Sequence, residues 1–362
     1  MPNVTASKQD GFLYDSWYVA GWPSELAPGD RLARTFLNQA IVLFRTNSGE
    51  ACALEDRCCH RALPLSFGMV AGERIRCSYH GLEFNTQGIC EHIPAQDKIP
   101  STARVRRYPL VEQDALLWIW MGDPALAYPS DIPRHGWHAD PQFRWRPHHY
   151  AVNGNWELLI ENLMDLSHLP YIHARTIGGN PALHFGTKTH ASRDGDTVRV
   201  VRHMPESEPP ATYQAAMTFP GKIDRWQEVE FRPGRILIHT GACDAGTGAY
   251  DGQRDHGFSM IGFHGITPET ERTTHYIWSI ATNAIDEGVS DLVFQQTADT
   301  FREDQEVLEL QQLRLNADPD RPLVDIASDV GSRQARQVLR RLMRAEREPA
   351  CIAPSHDERI NA

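Results

Sequence analysis

The chain has 362 residues, with 41% hydrophobic and 23% charged side chains, which are the proportions of an ordinary globular protein, and its length suits two domains. A formal net charge of −11 argues against nucleic acid and anionic membranes as partners, and no apolar run reaches the roughly 18 residues of a membrane span. The opening residues show no basic segment followed by an apolar stretch, so no signal peptide and a cytoplasmic location are expected, and seven cysteines in such a chain suggest metal or cluster ligation over a disulfide framework.

The first third reads as strands. AIVLFRT at 40–46, ACALEDRC at 51–58 and LLWIWMG at 116–122 are short β-branched, aromatic and aliphatic runs bounded by turn signals. A small all-β domain is expected over 15–122, followed by a Pro-, Gly- and Asp-rich linker, GDPALAYPSDIPRHGWHADP, at 122–141. The remainder, 123–362, is expected to be an α+β domain of antiparallel strands with helices, with residues 1–14 packing on it.

Inside the β domain lies RCCHRALPLSFGMVAGERIRCSYH, residues 57–80. Cys58-x-His60 and Cys77-x-x-His80 form two ligand pairs. A Cys₂His₂ zinc site is one reading. The other is a Rieske [2Fe–2S] cluster, in which one iron takes two thiolates and the other two imidazoles. Each knuckle here supplies one Cys and one His, which suits a binuclear cluster clamped between two loops. Gly68 and Gly81 are expected to make tight turns. Cys59 is expected to be a packed thiol, and Cys52 and Cys90 to lie on nearby strands.

The next segment, NWELLIENLMDLSHLPYIHAR at 155–175, is helical in pattern from about 155 to 174. On a helix Asn162, Asp165 and His168 share a side, and His173, beyond Pro170, reaches the same point only if the helix distorts. A single histidine among Leu, Met and Tyr is usually a core residue. Two at this spacing with a carboxylate fit the 2-His-1-carboxylate triad of non-haem Fe(II), which leaves positions open for O₂ and substrate. Strands including HYIWSIAT at 275–282 follow, and then helices near 290–316 and 332–347. In the first of these Phe294, Ala298, Phe301, Leu308 and Leu315 make a buried stripe. Asp304 falls on that stripe, where a carboxylate is costly unless paired or metal-bound. Glu303 and Glu306 read as solvated. Either Asp165 or Asp304 could complete the triad.

Together the motifs make the chain resemble the Rieske non-haem iron ring-hydroxylating oxygenases over nearly its whole length. The strings SWYVAGWPSEL, IPAQ, LLWIWMGDP, NGNWELLIENLMDLSHLPYIHA and GITPETERTTHY look most like the vanillate O-demethylase and dicamba monooxygenase branch. The chain departs from the family at Cys59, where Pro is frequent, and in reading HRALPL for HRGAPL. The resemblance implies Cys58, His60, Cys77 and His80 as cluster ligands and His168, His173 and Asp304 as iron ligands. TFREDQEVLELQQ at 300–312 is similar to the family's aspartate motif. It further implies that Asp165 is catalytic as a bridge, hydrogen-bonding His168 and the His80 of a neighbouring subunit, and that Asn162 sits near the iron without ligating it. The implied oligomer is a homotrimer with electron transfer between subunits.

The function implied is a terminal oxygenase. The chain has no dinucleotide fingerprint and no plant-type cluster motif, so a separate reductase using NAD(P)H, with or without a ferredoxin, is needed to supply electrons for O₂. The expected reaction is O-demethylation or monooxygenation of a methoxyaromatic carboxylic acid. Ring hydroxylation or dihydroxylation is the alternative within the family. A Rieske electron carrier is the distant alternative, and it would need only the small β domain. Pocket residues are sought between 177 and 296, where His239, His264, His275 and Trp278 could contact an aromatic acid and Arg225, beside Trp226, could pair a carboxylate.

Overall fold

The computed structural model describes residues 11–174, 177–178 and 181–348, excepting the side chains of Leu183 and Phe185. The fold is α+β. Three small antiparallel sheets lie in the first third, and a seven-stranded antiparallel sheet with helices on one face makes up the rest. No helix among the described residues is long and apolar enough to cross a membrane.

One four-stranded sheet runs from Met69–Ala71 through Arg74–Arg76 and Glu83–Asn85 to Cys90–His92. Its strands are three residues long because the chain turns back repeatedly around the cysteine–histidine segments. Beneath it Val42, Phe44, Leu54, Ile75 and Phe84 form a core that also holds Cys58 and Cys77.

The large sheet has the order Arg144–Val152, Thr273–Thr282, Phe258–Thr270, Arg235–Asp244, Ile223–Arg232, Thr197–Ser207, Thr189–Asp194. Alternation along these strands gives the sheet two apolar faces. Ile236, Ile266, Tyr276, Trp278 and Ile280 point to the helices, whereas Phe263 and Ile277 point to the small β sheets. The helix Glu287–Ala317 begins at Asp286, whose carboxylate accepts from the Val289 N–H. The helix Val330–Ala345 buries Ala335, Val338, Leu339 and Met343, while its arginines face outward.

Two expectations are corrected. The stretch at 122–141 is packed and is no loose linker. His135 stacks on Trp118 with ring planes 12° apart, and His138 Nε2 lies 2.8 Å from Ser279 Oγ. Aromatic content overrode the Pro and Gly signals. The helix expected over 155–174 stops at Met164, with Asp165 extended at φ −127°, ψ 96°. A 3-10 turn at Leu166–His168 and a short helix at Leu169–Ile172 follow. Pro170 has no N–H for the Leu166 carbonyl, so one continuous helix would lose a bond there. Of the amino-terminal segment, Gly11 accepts from Trp156 Nε1 and Leu13 joins the core of the large sheet, while Phe12 and Tyr14 pack on the β sheets. Residues 1–10 lie outside the described residues.

The joint between the two parts is tight. Trp17, Val19, Trp118 and Trp120 share one cluster with Phe263 and Ile277. Thr267 Oγ1 donates to the Val19 carbonyl at 2.7 Å. A Cβ on Gly265 would stand 2.7 Å from Val19 Cγ2. Gly265→Val is therefore expected to destabilise the protein by about 1–3 kcal/mol through overpacking. Urea denaturation followed by tryptophan fluorescence measures it, and an unchanged midpoint would contradict the closeness of this joint.

Candidate metal centres and the adjoining pocket

The two cysteine–histidine segments have one backbone plan. The Cys58 N–H donates to the Leu63 carbonyl at 2.9 Å, and the Ala62 N–H donates back to Cys58 at 3.0 Å. The Cys77 N–H donates to Leu82 at 2.8 Å, and the Gly81 N–H donates back to Cys77 at 3.0 Å. The fourth residue after each cysteine is left-handed, Ala62 at φ 58° and Gly81 at φ 74°. Gly68 serves otherwise than expected. Its φ is ordinary, and it is kept small by the Arg76 carbonyl, which would lie 2.0 Å from a Cβ.

These loops bury the sulfurs and expose the imidazoles. Cys58 and Cys77 are 3% and 1% exposed, whereas His60 and His80 reach solvent with ring centroids 4.5 Å apart. Burial pushes the Cys58 thiol up to about 11, so a thiolate there needs a cation beside it. A single tetrahedral ion would draw all four donors to within about 4 Å of one another. No three of them gather within 4.8 Å, and the spread donor set suits a binuclear cluster. Cys59 is exposed and is no packed thiol.

His168, His173 and Asp304 do gather, with ligand atoms within 4.8 Å of one another. Asp304 Oδ1 lies 3.1 Å from His173 Nε2, 3.5 Å from His168 Nε2 and 3.0 Å from Asn162 Nδ2. The other ring nitrogens are occupied. His168 Nδ1 donates to the Asp165 main-chain carbonyl at 2.8 Å, and His173 Nδ1 donates to Glu303 Oε2 at 2.7 Å. Each such bond fixes the tautomer and turns the Nε2 lone pair toward Asp304. Lone pairs aimed at a carboxylate need a cation between them, and this donor set fits a divalent metal. Burial is the largest influence on both imidazoles. It holds His168 below the ordinary histidine range, whereas at His173 bonds and charge from Asp304 and Glu303 outweigh it and hold the ring above that range.

Three expectations change here. The carboxylate of Asp165 does not bond His168. It accepts from Ser167 N at 2.9 Å and Ser167 Oγ at 3.1 Å, and the main-chain carbonyl makes the His168 contact instead. The helix break turned the side chain to cap the next turn. Glu303 is no free solvated charge, because it orients His173. Sequence reading missed it since it lies off the buried stripe. Among the pocket candidates, only Arg225 and His264 line the cavity beside the triad. His239 bonds Ser259, His275 bonds the Thr35 carbonyl, Trp278 packs on Phe301, and Trp226 points to the other sheet face under Arg254.

That cavity is floored by one face of the large sheet. Gln227 pairs with Thr240, Thr240 with Met260, Ile238 with Gly262, and Gly262 with Ile280, so alternate residues of four strands meet. Leu163, Leu166, Leu169 and Phe301 close it from the helix side, next to His168, His173 and Asp304. A Cβ on Gly262 would stand 2.7 Å from His264 Nε2, so glycine there leaves the imidazole room.

Residues 16–109 match the family described as the Rieske [2Fe-2S] domain, and residues 152–345 match the vanillate O-demethylase oxygenase C-terminal domain. A putative toluene-4-sulfonate monooxygenase iron–sulfur subunit of Comamonas testosteroni is 41% identical, over 92% of this chain and 97% of that protein. A vanillate O-demethylase oxygenase subunit of a Pseudomonas species is 34% identical, over 94% and 98%. The crystal structure of dicamba monooxygenase bound to 3,6-dichlorosalicylic acid superposes with a TM-score of 0.85 at 31% identity, over 92% of this chain and 98% of that one.

Glu303→Gln is expected to weaken iron binding at the histidine pair by about 10–100-fold while leaving the cluster absorbance intact. Iron titration with visible spectroscopy measures both, and wild-type affinity in the variant would remove Glu303 from the site.

Proposed function

Because this chain belongs to the Rieske non-haem iron oxygenases that include the vanillate O-demethylase oxygenase subunits, we propose that its pocket receives an aromatic acid for oxidation at a methoxy or other small substituent. The protein is the oxygenase component of a multicomponent system, and its cofactors are a Rieske [2Fe–2S] cluster and a mononuclear iron. When bound, these supply one-electron transfer and O₂ activation. We assign Cys58, His60, Cys77 and His80 to the cluster and His168, His173 and Asp304 to the iron, with Asn162 and Glu303 bonded to those ligands.

The observation carrying the reading is an apolar cavity that opens onto three converging ligand atoms. Leu163, Leu166, Ile238 and Phe301 would hold a ring and exclude water, and the floor of alternate strand residues would fix its plane. O-demethylation balances as one methoxyarene, O₂, two electrons and two protons giving a phenol, formaldehyde and water. The electrons come from a reductase, for which NAD(P)H is the source under this proposal. We place the reaction in the cytoplasm, where NAD(P)H is available.

The same reading includes a head-to-tail trimer, whose interfaces join two different patches of the surface. One patch is Phe67, Met69 and Tyr79 beside His80, which are 70%, 50% and 60% exposed. The other is the ligand turn, where Tyr171 is 64% exposed and Asp165 is half-buried. In such a ring the partner subunit's His80 would meet the Asp165 turn.

The test is a product assay. Reduced, iron-loaded protein with O₂ and a panel of methoxylated aromatic acids is expected to release formaldehyde and the phenol. A hydroxylated product retaining its methoxy group would replace O-demethylation with ring hydroxylation. Asp165→Asn is expected to keep both metals and to slow cluster reoxidation about tenfold or more during turnover, read by stopped-flow absorbance. Wild-type reoxidation would exclude a role for that carboxylate in electron delivery.

A further inference from the structure

Among the residues lining the pocket, one carries an uncompensated charge. Arg225 is 2% exposed on the strand Ile223–Arg232. One guanidinium nitrogen donates to the Ile177 carbonyl at 3.2 Å, the group lies 5.1 Å from the Tyr213 ring centroid, and Nε has no partner. No carboxylate among the described residues pairs with it. A buried guanidinium held only by a carbonyl and a ring is costly unless an anion completes it.

The surroundings add donors. Arg202, on the neighbouring strand, is 3% exposed and donates to Gln227 Oε1 at 3.2 Å. Arginine only donates, so Gln227 must give it the amide oxygen and turn its NH₂ elsewhere. Gln227 and Arg225 are two residues apart on one strand, so both face the pocket, about 7 Å apart along the backbone. His184, nearby, is held down to about 4 by burial first and then by Arg225 and Arg202, as expected beside two cations. Arg225 and His264 stand at opposite ends of the floor, since their register partners Ala242 and Ile236 lie toward opposite ends of the strand Arg235–Asp244.

We infer that Arg225 is the anion anchor of the pocket, binding the carboxylate or sulfonate of an aromatic acid with Gln227 as a second donor. This rests on the aromatic-acid reading and adds to it the residue that selects the acid. The planar fork of the guanidinium suits two oxygens of either group, and Tyr213 beneath it fixes the plane of approach. With its charged end held at Arg225, the substrate can enter the apolar cavity in one direction only.

The experiment is calorimetric binding to the intact protein carrying both metals. The probes are 4-methoxybenzoate against 4-methoxybenzamide, and 4-methylbenzenesulfonate against its sulfonamide. Wild-type protein is expected to bind at least one acid about tenfold or more tighter than its neutral partner, and the pair with the larger ratio tells carboxylate from sulfonate. Arg225→Met is expected to bring that ratio to about one, and Arg225→Lys to retain part of it. A purely structural arginine would weaken acid and amide alike. The inference is overturned if wild-type protein prefers neither acid, including if nothing binds, or if Arg225→Met keeps the preference. If Arg225→Met does not fold, the wild-type ratios and Arg225→Lys decide, and a lysine variant with unchanged ratio and affinity overturns the claim of a guanidinium fork. Tight binding of an acid that is then not oxidised by reduced protein with O₂ would refute the oxidation reading and leave the anchor standing.

Discussion

Asp304 is a carboxylate 4% exposed, placed in an apolar stripe between a sheet and a helix pair, and the catalytic half is arranged around it. A charge so buried is tolerated only with partners. Asn162 approaches from one helix, His168 and His173 from the broken segment that follows it, and all three direct nitrogen at the same oxygen. The break after Met164 is what permits this. A continuous helix would carry His168 and His173, five residues apart, to different sides. Glu303 and the Asp165 carbonyl hold the far sides of the two rings, so the convergence is fixed by backbone and by a neighbour on the same helix as Asp304.

The other metal-binding region solves a different problem. It repeats one loop twice, so each loop brings one thiol and one imidazole, with the sulfurs inside and the imidazoles outside. Ala62 holds a left-handed conformation that glycine takes more easily, at a cost of about 1 kcal/mol. The departure from HRGAPL noted in the sequence thus lands on the one position of that loop where it carries strain.

The candidate ligand residues were legible because their chemistry is local and periodic. Asp304 stood out as a charge on an apolar stripe, and the two cysteine–histidine pairs stood out by composition. The α+β class followed from strand-like runs ahead of long helical patterns. What stayed illegible depended on turns and on distant partners. Helical periodicity at 155–174 concealed the stop at Met164, and the family resemblance gave the Asp165 carboxylate a contact that its carbonyl makes. Glu303 looked solvated because its partner, His173, lies 130 residues away. The proline-rich stretch at 122–141 reads as a linker until its tryptophan and two histidines are seen packed against the sheet. Arg225 could be suspected, but only the pairing of four strands separates it from Trp226 beside it.

The large sheet gives consecutive residues separate duties. Gly262 and His264 face the cavity, while Phe263 and Gly265, alternating with them, face the small β sheets. The same alternation divides the neighbouring strands. Substitutions on one face can reshape the cavity while those on the other preserve how the two halves of the molecule fit. Such a sheet is evolvable: the shape of the cavity can diverge quickly among descendants while the joint between the two halves is inherited unchanged.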